Sequence, residues 1–219
     1  MIDTRRLEDK AYEFLLNQII EGEIQYGQVL DIKEIAEKLN TSVTPVREAI
    51  KRLHFEQIID FKPRTNYQVK VPTKKQIQEI YNIRELLETY ALSIGIETID
   101  SEKLNHLKSL VEQMGRIQTG DSPAARKQIV ELDRLFHTEL CALADNDYLN
   151  SIYRLLSLHV NMAFIHGKVF DQERYYESHA RIVQALENSK EEAVQSLHRH
   201  FREVKERLST VLEEDAAKI

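Results

Sequence analysis

The sequence predicts a mainly α protein in two parts: an N-terminal winged helix-turn-helix with a small β-wing, then an antiparallel all-α helical bundle. Three observations carry this. Six glycines and four prolines are few for 219 residues, and strong helix formers dominate. Residues 32–56, IKEIAEKLNTSVTPVREAIKRLHFE, hold two short apolar stripes of helical period separated by a polar turn. Beyond residue 76 no strand-like alternation interrupts a series of long amphipathic stretches.

Residues 5–21 predict a first helix with Leu7, Ala11, Phe14, Leu15 and Ile19 inward, closed by Gly22. Its expected role is scaffold. Ile32, Ile35, Ala36 and Leu39 mark the next helix, and Val46, Ala49, Ile50 and Leu53 the one after it. Asn40, Thr41 and Ser42 supply turn chemistry, Ser42 or Thr44 is expected to cap the following helix, and Pro45 fits its first turn. Residues 58–62 and 67–71 alternate in strand fashion around Pro63, Arg64, Thr65 and Asn66, a two-stranded wing with a basic tip. The first domain is therefore placed at residues 1–71 and the linker at 72–75. Thr73 and Gln76 form a capping box that opens the bundle domain, 76–219. Six helices are expected there, at about 76–97, 101–118, 123–145, 147–169, 171–187 and 190–213, with Ser122 before Pro123 and Ser189 with Glu192 marking two starts.

The net charge of −6 is unevenly shared: residues 1–75 hold 13 Lys and Arg against 12 Asp and Glu, and residues 76–219 hold 17 against 24. Within residues 44–75 the count is 8 basic to 3 acidic, a local basic surface on an acidic chain. A charge cluster alone is usually a solvated face; its coincidence with a helix-turn-helix and wing points to double-stranded operator DNA. The start of the second helix of such a motif enters the major groove, so Thr41, Ser42, Thr44, Arg47 and Lys51 are the expected contacts, with Arg64 and Asn66 at the wing. A single winged helix makes few contacts, so a homodimer on two inverted half-sites is expected.

A single cysteine, Cys141, excludes an internal disulfide framework and a cysteine-based zinc cluster. No apolar run reaches membrane-spanning length, and the first residues lack a signal-peptide apolar region. The expectation is a cytoplasmic protein with no membrane partner, associated with the nucleoid when on DNA.

Four ionisable residues of the bundle stand where apolar ones belong. Asp133 and His137, one turn apart, share a face with Val130, Leu140, Cys141 and Ala144; His179 sits with Ile182, Val183 and Leu186; His200 sits with Leu197, Phe201 and Val204. A lone histidine on such a face is more often a hydrogen-bonded core residue. Three imidazoles and a carboxylate can instead satisfy one another around a divalent cation, zinc first, with nickel, iron and manganese also suited to these ligands. His198 falls on another face and reads as a surface residue, while His159 and His166 fit either a shared cavity or bundle packing. Arg84 interrupts the stripe of Ile77, Ile80, Leu87, Ala91 and Ile94, and an inward arginine needs a carboxylate, from a bound organic acid or from Glu88 or Asp133. Asn161 is a lesser candidate for contact with such an acid.

Residues 22–69 carry the pattern I-A-E-K-L-N-T-S-V-T-P-V-R-E-A-I-K-R-L followed by P-R-T-N-Y-Q-V, which resembles the winged helix of GntR-type bacterial transcription regulators. Val43 stands where that family usually has a basic residue, and Asn66 where it has a wing-tip glycine. The segments E-L-D-R-L-F-H, E-S-H-A-R-I-V-Q-A-L and L-H-R-H-F resemble the FCD ligand-binding domain of the FadR branch. That resemblance implies that Asp133, His137, His179 and His200 hold a metal, and that the R-E-L-L-E helix of Arg84 lines an effector pocket. It implies a metabolite-responsive regulator, a repressor in the expected sense, released from DNA by a small organic acid. The competing class is a metal-dependent enzyme with an accessory helix-turn-helix. Against it, no separate general base or nucleophile accompanies the four ligands, and paired Glu-x-x-His motifs are absent.

Overall fold

The structure, a computed structural model, describes the backbone of residues 6–63, 66–117, 122–166 and 172–216, with side chains omitted at 66, 123, 161–166, 172–174 and 208–216. The chain divides into two compact units, Met1–Pro72 and Thr73–Ile219.

In the first unit, α1 (Leu7–Ile20) packs on α3 (Val43–Phe55), and α2 (Ile32–Lys38) packs on α3 in turn. Ala11, Leu15 and Ile19 meet Val46, Ala49, Ile50 and Leu53 in a core with no exposure. Asp31 starts α2 by accepting the N–H groups of Lys33 and Glu34. The turn into α3 rests on Asn40, whose φ of 49° is left-handed. Its N–H reaches the carbonyl of Glu37 and that of Thr41 reaches Ala36, so both orphan carbonyls at the end of α2 are satisfied. Ser42 precedes α3, but its side chain makes no capping hydrogen bond, contrary to expectation.

Strand β1 (Ile59–Lys62) pairs antiparallel with β2 (Asn66–Val69), Ile59 opposite Val69 and Lys62 opposite Asn66. Asn66 therefore belongs to the second strand and not to the connecting turn; β1 starts one residue later than the alternation suggested, and β2 starts one residue earlier and ends two residues earlier. Val29 bridges to Gln68, which ties the segment before α2 onto the wing. Arg64 lies outside the described residues, as does the side chain of Asn66.

The second unit contains α4 (Lys74–Gly95), a 3-10 turn (Ile96–Thr98), α5 (Ser101–Arg116), α6 (Pro123–Ala142), α7 (Asp147–His166), α8 (Gln172–Asn188) and α9 (Lys190–Ala216). The capping box forms as predicted: Thr73 Oγ1 accepts from the Gln76 N–H, and Gln76 Oε1 accepts from the Thr73 N–H. Helix α4 packs against α6, α7 and α9, while α5 packs against α6 and α8. Leu92, Leu107, Phe136, Leu140, Ile182, Leu197 and Phe201 fill the space between them. Gly95 ends α4 so close to α6 that a Cβ there would overlap the backbone carbonyl of Leu143. No helix among the described residues is long and apolar enough to cross a membrane.

Candidate functional site

On the first unit, Ser42, Thr44, Arg47 and Lys51 are exposed at the start and along the outer face of α3, and Thr41 is half-buried before it. Their exposure follows from the stripe that buries Val46, Ala49, Ile50 and Leu53 on the opposite face. Arg47 makes no hydrogen bond or ion pair among the described residues, whereas Lys51 is 2.7 Å from Glu48. Arg52 is committed internally: its guanidinium lies 3.7 Å from the Tyr12 ring centroid and its Nε 3.3 Å from Glu56.

In the second unit, α6 supplies Asp133 and His137, α8 supplies His179 and α9 supplies His200, all of them buried. The three histidines bring one ring nitrogen each to within 4.8 Å of one another. Asp133 Oδ1 is 3.1 Å from His179 Nε2 and 3.5 Å from His137 Nε2, and those two nitrogens are 3.3 Å apart. The three histidines singled out in the sequence therefore converge, and Asp133 sits against two of them, His137 and His179.

The far side of each imidazole explains which nitrogen faces inward. His137 Nδ1–H donates to Glu88 Oε2 at 2.5 Å, and His179 Nδ1–H donates to the Tyr175 carbonyl at 2.7 Å. Ser178 spends its own proton on the Tyr175 carbonyl, so its oxygen accepts from His200 Nδ1–H at 3.2 Å. With every Nδ1 occupied, all three Nε2 lone pairs remain for a cation, the arrangement that supports metal-ligating histidines. Without a cation the cluster is electrostatically uneven. Burial opposes the charge on His137, but the Glu88 and Asp133 carboxylates outweigh it and raise its pKa to about 9. Burial and the neighbouring His179 and His137 push His200 well below the usual histidine range. Asp133, although buried, is held well below the usual carboxylate range by His137 and His179.

Arg84 is inward, as its place in the stripe indicated, but it is already paired. Glu88 Oε1 takes its Nε and Nη2, each at 3.0 Å, and Nη2 also donates to the Tyr153 hydroxyl at 3.1 Å. Of the two protein acids left open by the sequence, Glu88 and Asp133, Glu88 is the one that pairs with it. Burial works against the arginine's charge, and Tyr153 and Glu88 more than offset it, raising its pKa. The guanidinium carbon lies 5.5 Å from the ring centroids of Tyr81 and Tyr153 and 5.7 Å from that of Phe201. Arg84 and Tyr81 are both buried, each only 2% exposed.

The side chains of Asn161 and His166 lie outside the described residues. His159 is half-buried on α7, and His198 is a surface residue, its Nδ1 2.7 Å from Glu85. Ser178 and the Tyr175 carbonyl support the ligands without having been singled out in the sequence, and Glu88, which the sequence offers only as a partner for Arg84, also supports His137. For Glu88 a signal existed, its position one turn after the inward Arg84.

The model of the family described as bacterial regulatory proteins, gntR family, matches residues 7–69, and that of the FCD domain matches residues 79–203. The chain is 32% identical over 212 residues to the gluconate operon transcriptional repressor of Bacillus subtilis (strain 168), covering 90% of this chain and 83% of that protein. It is 33% identical over 122 residues to the HTH-type transcriptional regulator McbR of Escherichia coli (strain K12), covering 56% of this chain and 54% of that one. Among solved structures, E. coli McbR/YncC superposes with a TM-score of 0.77 at 23% identity, covering 94% of this chain and 99% of that chain. A putative transcriptional regulator GntR from Rhodococcus sp. RHA1 gives 0.80 at 20% identity, covering 93% and 97%. FCD domains can bind metals, and the buried three-histidine cluster is a site of that kind. A helix-turn-helix that the family uses to bind operator DNA, joined to that domain, makes this chain a member of the GntR family of bacterial regulatory proteins, a transcription regulator and not an enzyme.

Proposed function

We propose that this regulator is a homodimeric repressor whose helical unit binds one divalent cation and a small organic acid, and that the acid lowers affinity for operator DNA. The observation that carries the reading is the meeting of His137, His179 and His200, with Asp133 against two of them and the buried Arg84 guanidinium joined to them through Glu88. A guanidinium near a bound cation favours a carboxylate ligand. A cation held by the four residues, zinc first among the candidates, would act as a Lewis acid towards an oxygen of the same ligand. The relative that represses the gluconate operon is tied by its name to an organic acid. Asn161 remains a proposed contact on α7.

Operator contacts are assigned to Thr41, Ser42, Thr44, Arg47 and Lys51 on and before α3, and to Arg64 and Asn66 at the wing. Dimerisation is assigned to α4, where Ile83, Leu86, Tyr90 and Ile94 form one exposed apolar stripe, and to its neighbour α7, where Tyr148, Ile152 and Leu155 form another. Leu86→Glu should then shift the protein from dimer to monomer in sedimentation velocity; an unchanged dimer would place the interface elsewhere.

The main test is calorimetric. The zinc-loaded protein is titrated with gluconate and other small hydroxy acids, alone and with a DNA duplex selected by the protein from a random pool. Coupling of about 1–3 kcal/mol, roughly 5- to 150-fold in affinity, is expected, and linkage requires it to be reciprocal. Equal acid affinity with and without DNA would show that the pocket does not control DNA binding.

A further inference from the structure

The four residues assigned to the cation come from α6, α8 and α9; helix α4 contributes none. Yet α4 is the helix whose N-cap, Thr73, is the first residue of the second unit, directly after the winged helix in the chain. One hydrogen bond among the described residues joins α4 to the ligand set, and it runs from His137 Nδ1 to Glu88 Oε2. The same carboxylate spends its other oxygen on Arg84, one turn earlier on the same helix, and it is wholly buried.

We propose that Glu88 is a positioning residue of the metal centre and the polar link through which occupancy of that centre is felt by helix α4. The inference rests on the cation reading above. Glu88 acts in two directions. Towards α6 it fixes the His137 tautomer: with Nδ1–H donating to a carboxylate, only Nε2 can offer a lone pair to the point shared with Asp133 and His179. Towards α4 it is braced by the planar guanidinium of Arg84, itself anchored on the Tyr153 hydroxyl of α7. A carboxylate gripped on both oxygens has little freedom to rotate. Fixing the ring of His137 at Nε2 therefore also fixes Glu88, and with it the turn of α4 from Arg84 to Glu88. An organic acid bound by Arg84, as proposed above, would act on the same helical turn as the cation and through the same pair of residues.

The test uses the full chain stripped of metal with a chelator and then titrated with zinc in competition with a chromophoric chelator. Backbone amide exchange is followed by mass spectrometry with and without saturating zinc. In the parent protein zinc should slow exchange in α6, α8 and α9 and also around residues 84–92 of α4. Glu88→Gln should weaken zinc binding by about 10- to 100-fold. At saturating zinc it should still protect α6, α8 and α9 but no longer α4. Glu88→Asp keeps the charge but withdraws it from His137; it should lose the α4 protection as well, and it serves if the glutamine variant does not fold. Zinc affinity equal to the parent's, or α4 protection retained in a folded variant, would overturn the role of Glu88 while leaving the metal centre standing. Failure of the parent itself to bind zinc, nickel, iron or manganese would overturn the metal centre, and this inference with it.

Discussion

The two units bury opposite kinds of chemistry. In the first, the described core is apolar throughout, from Ala11, Leu15 and Ile19 to Ile50, Leu53 and Val69. Among the described residues, every buried polar or charged side chain belongs to the second unit: Arg84, Glu88, Asp133, His137, Ser157, Ser178, His179 and His200. Burying such groups is costly unless they are paired, so a core that holds them gives up stability that an apolar core would keep. The difference follows from where each unit does its work. A winged helix needs a rigid scaffold with its donors outside, whereas a bundle that binds a cation and an acid, as proposed, would keep its polar groups inside and satisfied.

The contrast is tested most severely at Arg84. Arg84→Ala should cost the second unit about 3–5 kcal/mol, because it removes one partner of a buried ion pair and leaves the Glu88 carboxylate with His137 alone. The double variant Arg84→Met, Glu88→Leu should recover much of that loss, since neither half of the Arg84–Glu88 pair is left buried alone, while its zinc binding weakens for want of a His137 acceptor. Urea unfolding measures both. If Arg84→Ala costs no more than the roughly 0.5 kcal/mol of an ordinary surface change, the polar core of the second unit is not what sets its stability.

Zinc sharpens the contrast with a smaller effect. A cation bound only by the folded second unit adds about 2.7 kcal/mol at one hundred times its dissociation constant. Slow-exchanging amides of α6 and α9 should gain that protection, and those of α1 and α3 should not. Asp133→Ala, His137→Ala, His179→Ala and His200→Ala should each abolish the gain, and His198→Ala, on the surface, should leave it intact. Full zinc content in two or more of the first four variants would dissolve the site.

Much of the second unit is legible in its residues alone. Period places the helices, because most amphipathic stretches here end at a cap or a turn residue. The four clustered residues are legible because each interrupts an apolar stripe, and an interruption is visible in one dimension. For Glu88 the residues show a possible partner of Arg84, one turn earlier, but nothing that sets its link to His137 apart from the surroundings of Glu85. Packing separates them: Glu88 meets His137 inside the bundle, while Glu85 lies at the surface between His198 and Lys205. Lys205 and His198 hold the Glu85 carboxyl below its ordinary range despite some burial. The Tyr175 carbonyl that orients His179 is beyond reach for another reason, because a backbone acceptor has no residue type to mark it. Capping fails at Ser42 for a similar cause: the residue has the right chemistry, yet the Schellman closure at Asn40 and Thr41 already sets the entry to α3.

The smallest effects on stability, and the most informative on function, belong to the exposed face of α3. Arg47→Ala should change folding stability by no more than about 0.5 kcal/mol, since Arg47 is exposed and bonds to nothing among the described residues. If its guanidinium reads a base edge, the same change weakens binding to the selected operator by about 1–3 kcal/mol and relaxes preference at one position of the site. Lys51 offers the internal control. It lies on the same helix but is tied to Glu48, and a lysine that reaches a phosphate acts as a point charge without sequence preference. Lys51→Ala should therefore weaken binding nearly equally on all duplexes and reduce the salt slope by about one. Binding isotherms over a range of salt, on the operator and on single-base variants, separate the two outcomes. Should Arg47→Ala lower affinity uniformly like Lys51→Ala, the residue neutralises a phosphate, and sequence reading by this helix passes to Ser42 and Thr44 at its start.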